Sequence, residues 1–203
     1  MPGYYSISLN GEILKRNSNF GEKETTRFTI EKSAPSIVEH RMPEWTSILK
    51  EEFTTGFGQF NDGGTDAMYT PAKFRRKGLV MIKKGTRGHE QASVYSDNIP
   101  LQGREYSRFK VVFSFYANNM EPGDRFCLDH SVNGAVAWSQ TQCWAQGTDF
   151  ENGEWNDDVA QEFSSAAQIA NSIRIRFHGL SEENNDRVFF DEIQLLGQTE
   201  LTR

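Results

Sequence analysis

One short stretch of the sequence, residues 51–67, joins carboxylates to a glycine-rich bend: EEFTTGFGQFNDGGTDA. Calcium takes six to eight oxygen ligands from carboxylates, backbone carbonyls and water, and glycine lets backbone carbonyls turn toward an ion. Asn61, Asp62, Thr65 and Asp66 lie in this bend and carry such oxygens. The stretch therefore predicts a metal site, and solvated turn residues, which are common in Asp-Gly sequences, are the alternative.

A second set of residues could bind sugars, because an aromatic ring offers a flat apolar surface to the apolar face of a pyranose. Four side chains are candidates for such stacking: Tyr116, Trp138, Trp144 and Trp155. In SIRIRFHG, alternation turns Ile173 and Ile175 inward, so Arg174 and Arg176 point outward where a ligand could reach them.

A third set is basic. Residues 73–89, KFRRKGLVMIKKGTRGH, concentrate lysine and arginine in a chain whose net charge is -6. Such an edge could hold an anionic polysaccharide, and a solvated charge run is the alternative.

Catalytic chemistry is not indicated. A glycosidase needs two carboxylates about 5 to 10 Å apart across a cleft, whereas Asp157 and Asp158 are adjacent and would point to opposite faces of a strand. The four histidines lack metal-ligand spacing, and no serine or cysteine lies in a nucleophile elbow. We expect the protein not to be an enzyme, and a polysaccharide-active enzyme is an alternative.

The two cysteines, Cys127 and Cys143, flank a hairpin signal. Asn133-Gly134 between them tolerates the positive φ of a tight turn, which would bring the cysteines opposite one another on neighbouring strands. A disulfide and two buried free thiols are both open.

Composition favours strands and excludes some functions. The 203 residues include 15 Phe and 17 Gly, which favour a pleated sheet and turns over helices. The net charge of -6 argues against a nucleic-acid binder. No apolar run approaches the roughly 20 residues that cross a bilayer, and the first residues lack the pattern of a secretion signal.

The strand signals come at the spacing of a sandwich. In YSRFKVVFSFYA, Phe109, Val111, Phe113 and Phe115 alternate onto one face. Phe190 and Ile193 both have core character although they are three apart, which predicts a bulge at Asp191-Glu192. We predict an all-β fold, a two-sheet antiparallel β-sandwich of jelly-roll type with a small N-terminal β appendage.

The predicted organisation has four parts, and the prolines Pro35 and Pro43 mark the break between the first and the third. The parts are a short β appendage over 1–32, which could be the remnant of a preceding β unit, a linker over 33–48, the sandwich over 49–198 and a tail over 199–203.

From Glu52 to Gly197 the chain resembles the MAM-like and carbohydrate-binding-module-like jelly-roll modules of large secreted proteins from bacteria and marine algae. Four segments carry the resemblance in order: EEFTTGFGQFNDGGTDA, YSRFKVVFSFYANNMEPGDRFCLDHSVNGAVAW, WAQGTDFENGEWND and IRIRFHGLSEENNDRVFFDEIQLLG. Residues 3–28 resemble the closing half of a small β unit that often precedes such modules, without its glycine- and cysteine-rich opening. The resemblance implies a piece of a longer protein that is secreted or displayed at the cell surface.

The resemblance also implies a structural calcium ion. Modules of this kind hold calcium between an acid at the start of the first strand and an acidic pair in the last strand. The matching positions are Glu52, Asp191 and Glu192, which together with Asp62 and Asp66 make the expected ligand set. The family often has a further glutamate where this chain has Thr54.

The function implied by the resemblance is a non-catalytic extracellular module that binds a polysaccharide or a cell-wall or matrix glycan, or an adhesion partner. The family buries an aromatic residue at the positions of Trp138 and Trp155, so Trp144 is expected to be the exposed tryptophan. Trp144, Tyr116, Arg174 and Arg176 are the expected ligand-binding residues. A structural subunit that packs against neighbouring protein subunits is the first alternative.

Overall fold

A computed structural model describes residues 6–9, 12–15, 44–64, 66–74, 76–83, 92–134, 137–164, 171–181, 183 and 185–199, with the backbone alone for the first two segments. The chain forms two compact units, Met1–His40 and Arg41–Arg203. In the first unit, strands β1 (Ser6–Leu9) and β2 (Glu12–Lys15) pair as an antiparallel hairpin. The remainder of the predicted appendage lies outside the described residues.

The second unit consists of two antiparallel sheets. The strands that build them are β3 (Thr46–Glu51), β4 (Phe60–Asp62), β5 (Ala67–Lys73), β6 (Arg76–Lys83), β7 (Ser93–Ser96), β8 (Ile99–Pro100), β9 (Tyr106–Asn118), β10 (Arg125–Val132), β11 (Ser139–Ala145), β12 (Trp155–Ser164), β13 (Ser172–Leu180) and β14 (Arg187–Thr199). The front sheet has the order β11-β10-β13-β7-β4, and β8 also pairs with β13. The back sheet has the order β12-β9-β14-β6-β5, and β3 also pairs with β14. The predicted two-sheet antiparallel β-sandwich is confirmed.

Phenylalanines from both sheets fill the space between them. Phe113 of β9 lies 4.8 Å from Phe177 of β13, and Phe190 of β14 lies 5.4 Å from Phe126 of β10, measured between ring centroids. All four rings are at most 1% exposed. Alternation along each strand turns one set of side chains into this core, so the other set must face outward from the sandwich.

The last strand contains the predicted bulge. The register between β14 and β9 shifts between Asp191 and Gln194, and Glu192 has a φ of 53°. The extra residue lets Phe190 and Ile193 both reach the core at 0% exposure. The prediction of a bulge at Asp191-Glu192 is confirmed.

Among the described residues, no helix is long and apolar enough to cross a membrane.

Candidate functional site

The outer surface of the front sheet carries an open cleft of about 470 Å³. Its lining consists of Arg125, Asp129, Trp138, Gln140, Arg176, His178 and Leu180. Strand alternation explains this lining: on β13 the buried Ile175 and Phe177 face the core, which turns Arg176 and His178 outward.

An ion-paired carboxylate lies at the floor of the cleft. Asp129 accepts hydrogen bonds from the Nε (3.0 Å) and Nη2 (2.5 Å) atoms of Arg176, and its Oδ2 lies 3.2 Å from Nε2 of His178. The register of β10 and β13 pairs Asp129 directly with Arg176. Burial alone would raise the pKa of Asp129, but the hydrogen bonds from His178 and Arg176 outweigh burial and lower the pKa. Asp129 therefore stays ionised at neutral pH.

Two aromatic rings and two guanidinium groups stack beside this carboxylate. The guanidinium of Arg176 lies 4.6 Å from the ring centroid of Trp138, and that of Arg174 lies 5.0 Å from Trp138 and 4.8 Å from Tyr95. Tyr95 and Trp138 are 6.4 Å apart, measured between ring centroids. Stacking on the aromatic faces holds the guanidinium groups in place, and their N–H groups stay in the guanidinium plane, where they can donate hydrogen bonds. The surface thus combines flat rings with hydrogen-bond donors in fixed positions.

The cleft brings together two of the four expected ligand-binding residues. Arg176 lines it, and Arg174 lies on the same face of β13 against Trp138. The expectation that Trp144 is exposed is corrected: pairing with Phe126 turns its ring inward, 5.2 Å from the ring centroids of both Phe126 and Phe113. The expected burial of Trp138 in the core is likewise corrected.

Tyr116 is also separated from the cleft. It lies on the outer surface of the back sheet, where it stacks on Phe74 at 3.9 Å and lies 5.6 Å from Trp155, measured between ring centroids. Because Phe115 faces the core, its neighbour Tyr116 must face away from the core. The structure therefore separates Tyr116 from the cleft, and its role in ligand binding stays a prediction.

Asp129, Tyr95 and His178 were not expected in a site. Alternation could have placed them, because Asp129 follows the core residue Leu128 and Tyr95 follows the core residue Val94. Their convergence could not be read locally, because it depends on the pairing of β13 with both β10 and β7.

The five expected calcium ligands lie in different surroundings. Glu52 is exposed and forms an ion pair with Lys50 at 2.5 Å, and Asp62 accepts a hydrogen bond from the Gly64 backbone N–H within its own turn. Asp66 is buried beside β5. Asp191 and Glu192 lie in the bulge of β14.

Asp191 and Glu192 share the guanidinium of Arg76. Nη1 of Arg76 lies 3.1 Å from Asp191 and 2.9 Å from Glu192, while Nη2 contacts Asp157. Burial raises the pKa of Asp191, and the hydrogen bond from Arg76 opposes that rise. In the described part of the chain, none of the five carboxylates belongs to a group of three acids close enough to share an ion. No three of these five side chains converge, so calcium binding by this set, with backbone carbonyls or water completing the shell, stays a prediction.

A different group of acids does converge. Glu121, Asp124 and Asp186 each offer a carboxylate oxygen, and these oxygens lie within 4.8 Å of one another. A cavity of about 540 Å³ opens beside them and shares Arg125 and Leu180 with the cleft. The sequence did not reveal this group, because Asp124 and Asp186 lie in loops that are far apart along the chain and meet only in the folded protein.

Cys127 and Cys143 form a disulfide bond. They occupy opposite positions on β10 and β11, with Cα atoms 4.0 Å apart. The bond ties the outermost strand of the front sheet to the strand that carries Asp129.

No family model and no curated protein matches the chain. Among solved structures, the chain is similar to the CBM22-1 xylan-binding domain of Paenibacillus barcinonensis Xyn10C, with a TM-score of 0.54, 14% identity, and coverage of 79% of this chain and 100% of that domain. It is also similar to the CBM22-1-GH10 modules of Clostridium thermocellum xylanase 10B in complex with xylohexaose (TM-score 0.52, 17% identity, 77% of this chain, 29% of that chain). The K3 adhesin domain of Porphyromonas gingivalis Lys-gingipain matches with a TM-score of 0.51 and 11% identity, covering 75% of this chain and 99% of that domain.

These similarities concern the fold. The expected likeness to carbohydrate-binding modules is confirmed at that level, and the MAM-like assignment stays a prediction.

Proposed function

We propose that the protein is a non-catalytic glycan-binding module and that its binding surface is the cleft on the front sheet. The observation that carries this proposal is the aromatic and charged surface formed by Trp138, Tyr95, Arg174 and Arg176 above the ion-paired Asp129. Flat rings can stack on the apolar faces of sugars, while the fixed N–H donors can bind hydroxyl oxygens at the sugar edges. The xylan-binding domain among the structural neighbours supports the same reading.

The chemistry of the cleft supports binding without catalysis. Of the residues that line it, Asp129 alone is a carboxylate, and glycoside hydrolysis by the common route needs two. Asp129 is paired with Arg176 and has a lowered pKa, so it cannot serve as a proton donor near neutral pH.

The charge of the cleft favours glycans that carry acidic groups. Arg125, Arg174 and Arg176 lie at this surface, and the carboxylate of Asp129 opposes them. Guanidinium groups bind carboxylates and sulfate-like anions through paired N–H donors. We therefore expect uronic-acid or sulfated polysaccharides to bind more tightly than neutral chains of the same length.

The disulfide supports an extracellular setting. Disulfide bonds persist in oxidising compartments, so the Cys127–Cys143 bond agrees with a protein that is secreted or displayed at the cell surface.

The alternative of a packing subunit has less support. Among the residues whose side chains are described, Met68, 50% exposed, is the one large hydrophobic side chain that is exposed, so this part of the chain presents no large apolar patch to a neighbouring subunit.

Affinity gel electrophoresis tests the proposed function. The protein is run in gels that contain xylan, polygalacturonate or alginate, together with Trp138→Ala and with Trp155→Ala as the matched control on the back sheet. At least one polysaccharide should retard the wild type and Trp155→Ala but not Trp138→Ala. Retardation by none of them, or loss of retardation in Trp155→Ala alone, would overturn the proposal.

A further inference from the structure

Two loops meet at one end of the sandwich and carry the converging acids. The loop between β9 and β10 supplies Glu121 and Asp124, and the segment before β14 supplies Asp186. Their nearest oxygens lie within 4.8 Å of one another, which is the spacing of oxygens around one ion. Among the described residues, no other group of three acidic, histidine or cysteine side chains meets this spacing.

The buried member of the group has an oxygen without a partner. Asp186 is 2% exposed, and its Oδ2 accepts a hydrogen bond from the backbone N–H of Glu183 at 2.9 Å. Its Oδ1 is buried and has no hydrogen-bond partner among the described residues. A buried carboxylate oxygen left unpaired is costly, so a buried acid normally has a donor or a metal ion at each oxygen. A bound ion would supply the partner that Oδ1 lacks.

The three acids also lack neutralising charge. Within the described part of the chain, none of them forms an ion pair with a lysine, arginine or histidine. The contact with Asp124 raises the pKa of Glu121, and burial raises the pKa of Asp186, with the charge of Asp124 adding to it. A bound cation would relieve both the repulsion and the cost of burial.

We propose that Glu121, Asp124 and Asp186 bind a calcium ion. All the ligands are oxygens, which hard cations prefer, and no nitrogen or sulfur ligand takes part in the group. The neighbouring cavity is about 540 Å³ and is also lined by Ser181 and Glu183, so it has room for water and further oxygen ligands. Calcium tolerates such a mixed, irregular shell, whereas magnesium demands near-ideal octahedral geometry.

This site differs from the set expected from the sequence, and the difference provides the control. Asp191 faces the guanidinium of Arg76 at 3.1 Å, whereas Asp186 faces other carboxylates. The two aspartates lie in or next to the same strand, five positions apart, so Asp191→Asn matches Asp186→Asn in chemistry and in region.

Isothermal titration of the calcium-free protein with calcium chloride tests the proposal. The wild type and Asp191→Asn should bind one calcium ion with saturable heat, and their thermal unfolding temperature should rise with calcium concentration, since the ion binds the folded state. Asp186→Asn and Asp124→Asn should bind at least about tenfold more weakly, because each lacks a charged ligand.

Absence of saturable heat in the wild type would overturn the proposal. Wild-type affinity in a folded Asp186→Asn variant would also overturn it, whether or not Asp191→Asn still binds calcium. Glu121→Gln changes an exposed side chain and should fold like the wild type, which circular dichroism can check. Should Asp186→Asn fail to fold, Glu121→Gln decides the matter: weakened binding supports the site, and unchanged binding contradicts it.

Discussion

Asp129 lies between Arg176 and His178 and fixes both side chains at the floor of the cleft. Asp129→Asn removes the charge but keeps the shape, so it leaves the Arg176 guanidinium, which is 15% exposed, without its counter-ion. Removing one partner of such a buried pair costs about 3 kcal/mol.

Urea unfolding measures this loss. Asp62→Asn serves as the control, because Asp62 is exposed and an asparagine there can still accept the Gly64 hydrogen bond; its stability should stay within about 0.5 kcal/mol of the wild type. Equal stability of Asp129→Asn and the wild type would show that the Asp129 pair does not hold the cleft together.

His130 makes the stability depend on pH. Its ring stacks on Phe163 at 4.6 Å, and burial lowers its pKa, although the nearby Asp129 opposes that shift. The His130 side chain therefore binds a proton more readily in the unfolded chain than in the folded protein. The free energy of unfolding should fall as the pH drops below about 6.5, the ordinary histidine pKa, and should keep falling until the pH reaches the lower pKa of His130 in the folded protein.

Comparing the wild type with His130→Gln isolates this effect, because the other histidines are common to both. Between pH 7 and pH 5, the unfolding temperature of the wild type should fall more than that of His130→Gln. Parallel curves would contradict the assigned role of His130.

Strand β6 contains a glycine that the fold requires. Gly78 has a φ of +74°, and a Cβ atom there would lie 2.0 Å from the backbone oxygen of Phe53. Gly103 has nearly the same φ, +73°, but a Cβ atom there would meet no atom within 4 Å. Gly103→Ala should thus cost about 1 kcal/mol from backbone strain alone.

Gly78→Ala should cost at least about 2 kcal/mol more than Gly103→Ala, because the Phe53 backbone must move to admit the methyl group. Chemical denaturation of the two variants measures the difference. Similar losses in both would show that Phe53 and β6 do not pack as closely as described.

The strands differ in how much of their structure could be predicted. Hydrophobic and polar side chains alternate along β9 and β13, and this pattern predicts strands with one face buried in a sandwich. In β14 the alternation shifts by one residue, and this shift predicts the bulge. Strand β5 carries Pro71 and is mostly exposed, as edge strands often are, so no such pattern marks it.

The candidate site was less predictable than the fold, because it depends on which strands pair and not only on the pattern within one strand. Arg174 and Arg176 follow from alternation within β13, but Trp138 and Asp129 reach them only through pairing between strands distant in sequence. The inward turn of Trp144 depends in the same way on its pairing with Phe126.

At the scale of the whole molecule, the net charge is -6, but arginines outnumber carboxylates on the cleft surface. Arg125, Arg174 and Arg176 lie there, and Asp129 is the one carboxylate in the cleft lining. Acidic glycans should therefore bind with a strong dependence on salt. Raising the ionic strength from about 0.1 M to about 1 M shortens the Debye length from about 10 Å to about 3 Å and should weaken binding of polygalacturonate. Affinity electrophoresis at both salt concentrations measures this, with xylan as the neutral comparison; equal salt dependence for both would argue against arginine-based recognition.

We expect glycan to bind at the front-sheet cleft and at no other face of the sandwich. The chain has four tryptophans, Trp45, Trp138, Trp144 and Trp155, and each gives one indole N–H signal in a nuclear magnetic resonance spectrum. Trp138 lies in the cleft, Trp144 faces the core, and the indole N–H of Trp155 donates to the backbone oxygen of Phe74 on the back sheet.

The most direct measurement is a titration of the protein with oligogalacturonate while the four indole signals are followed, with Trp138→Phe assigning the Trp138 signal. The Trp138 signal should shift in a saturable way while the Trp144 and Trp155 signals stay in place. A shift of the Trp155 signal with a stationary Trp138 signal would contradict this expectation and would assign binding to the back sheet.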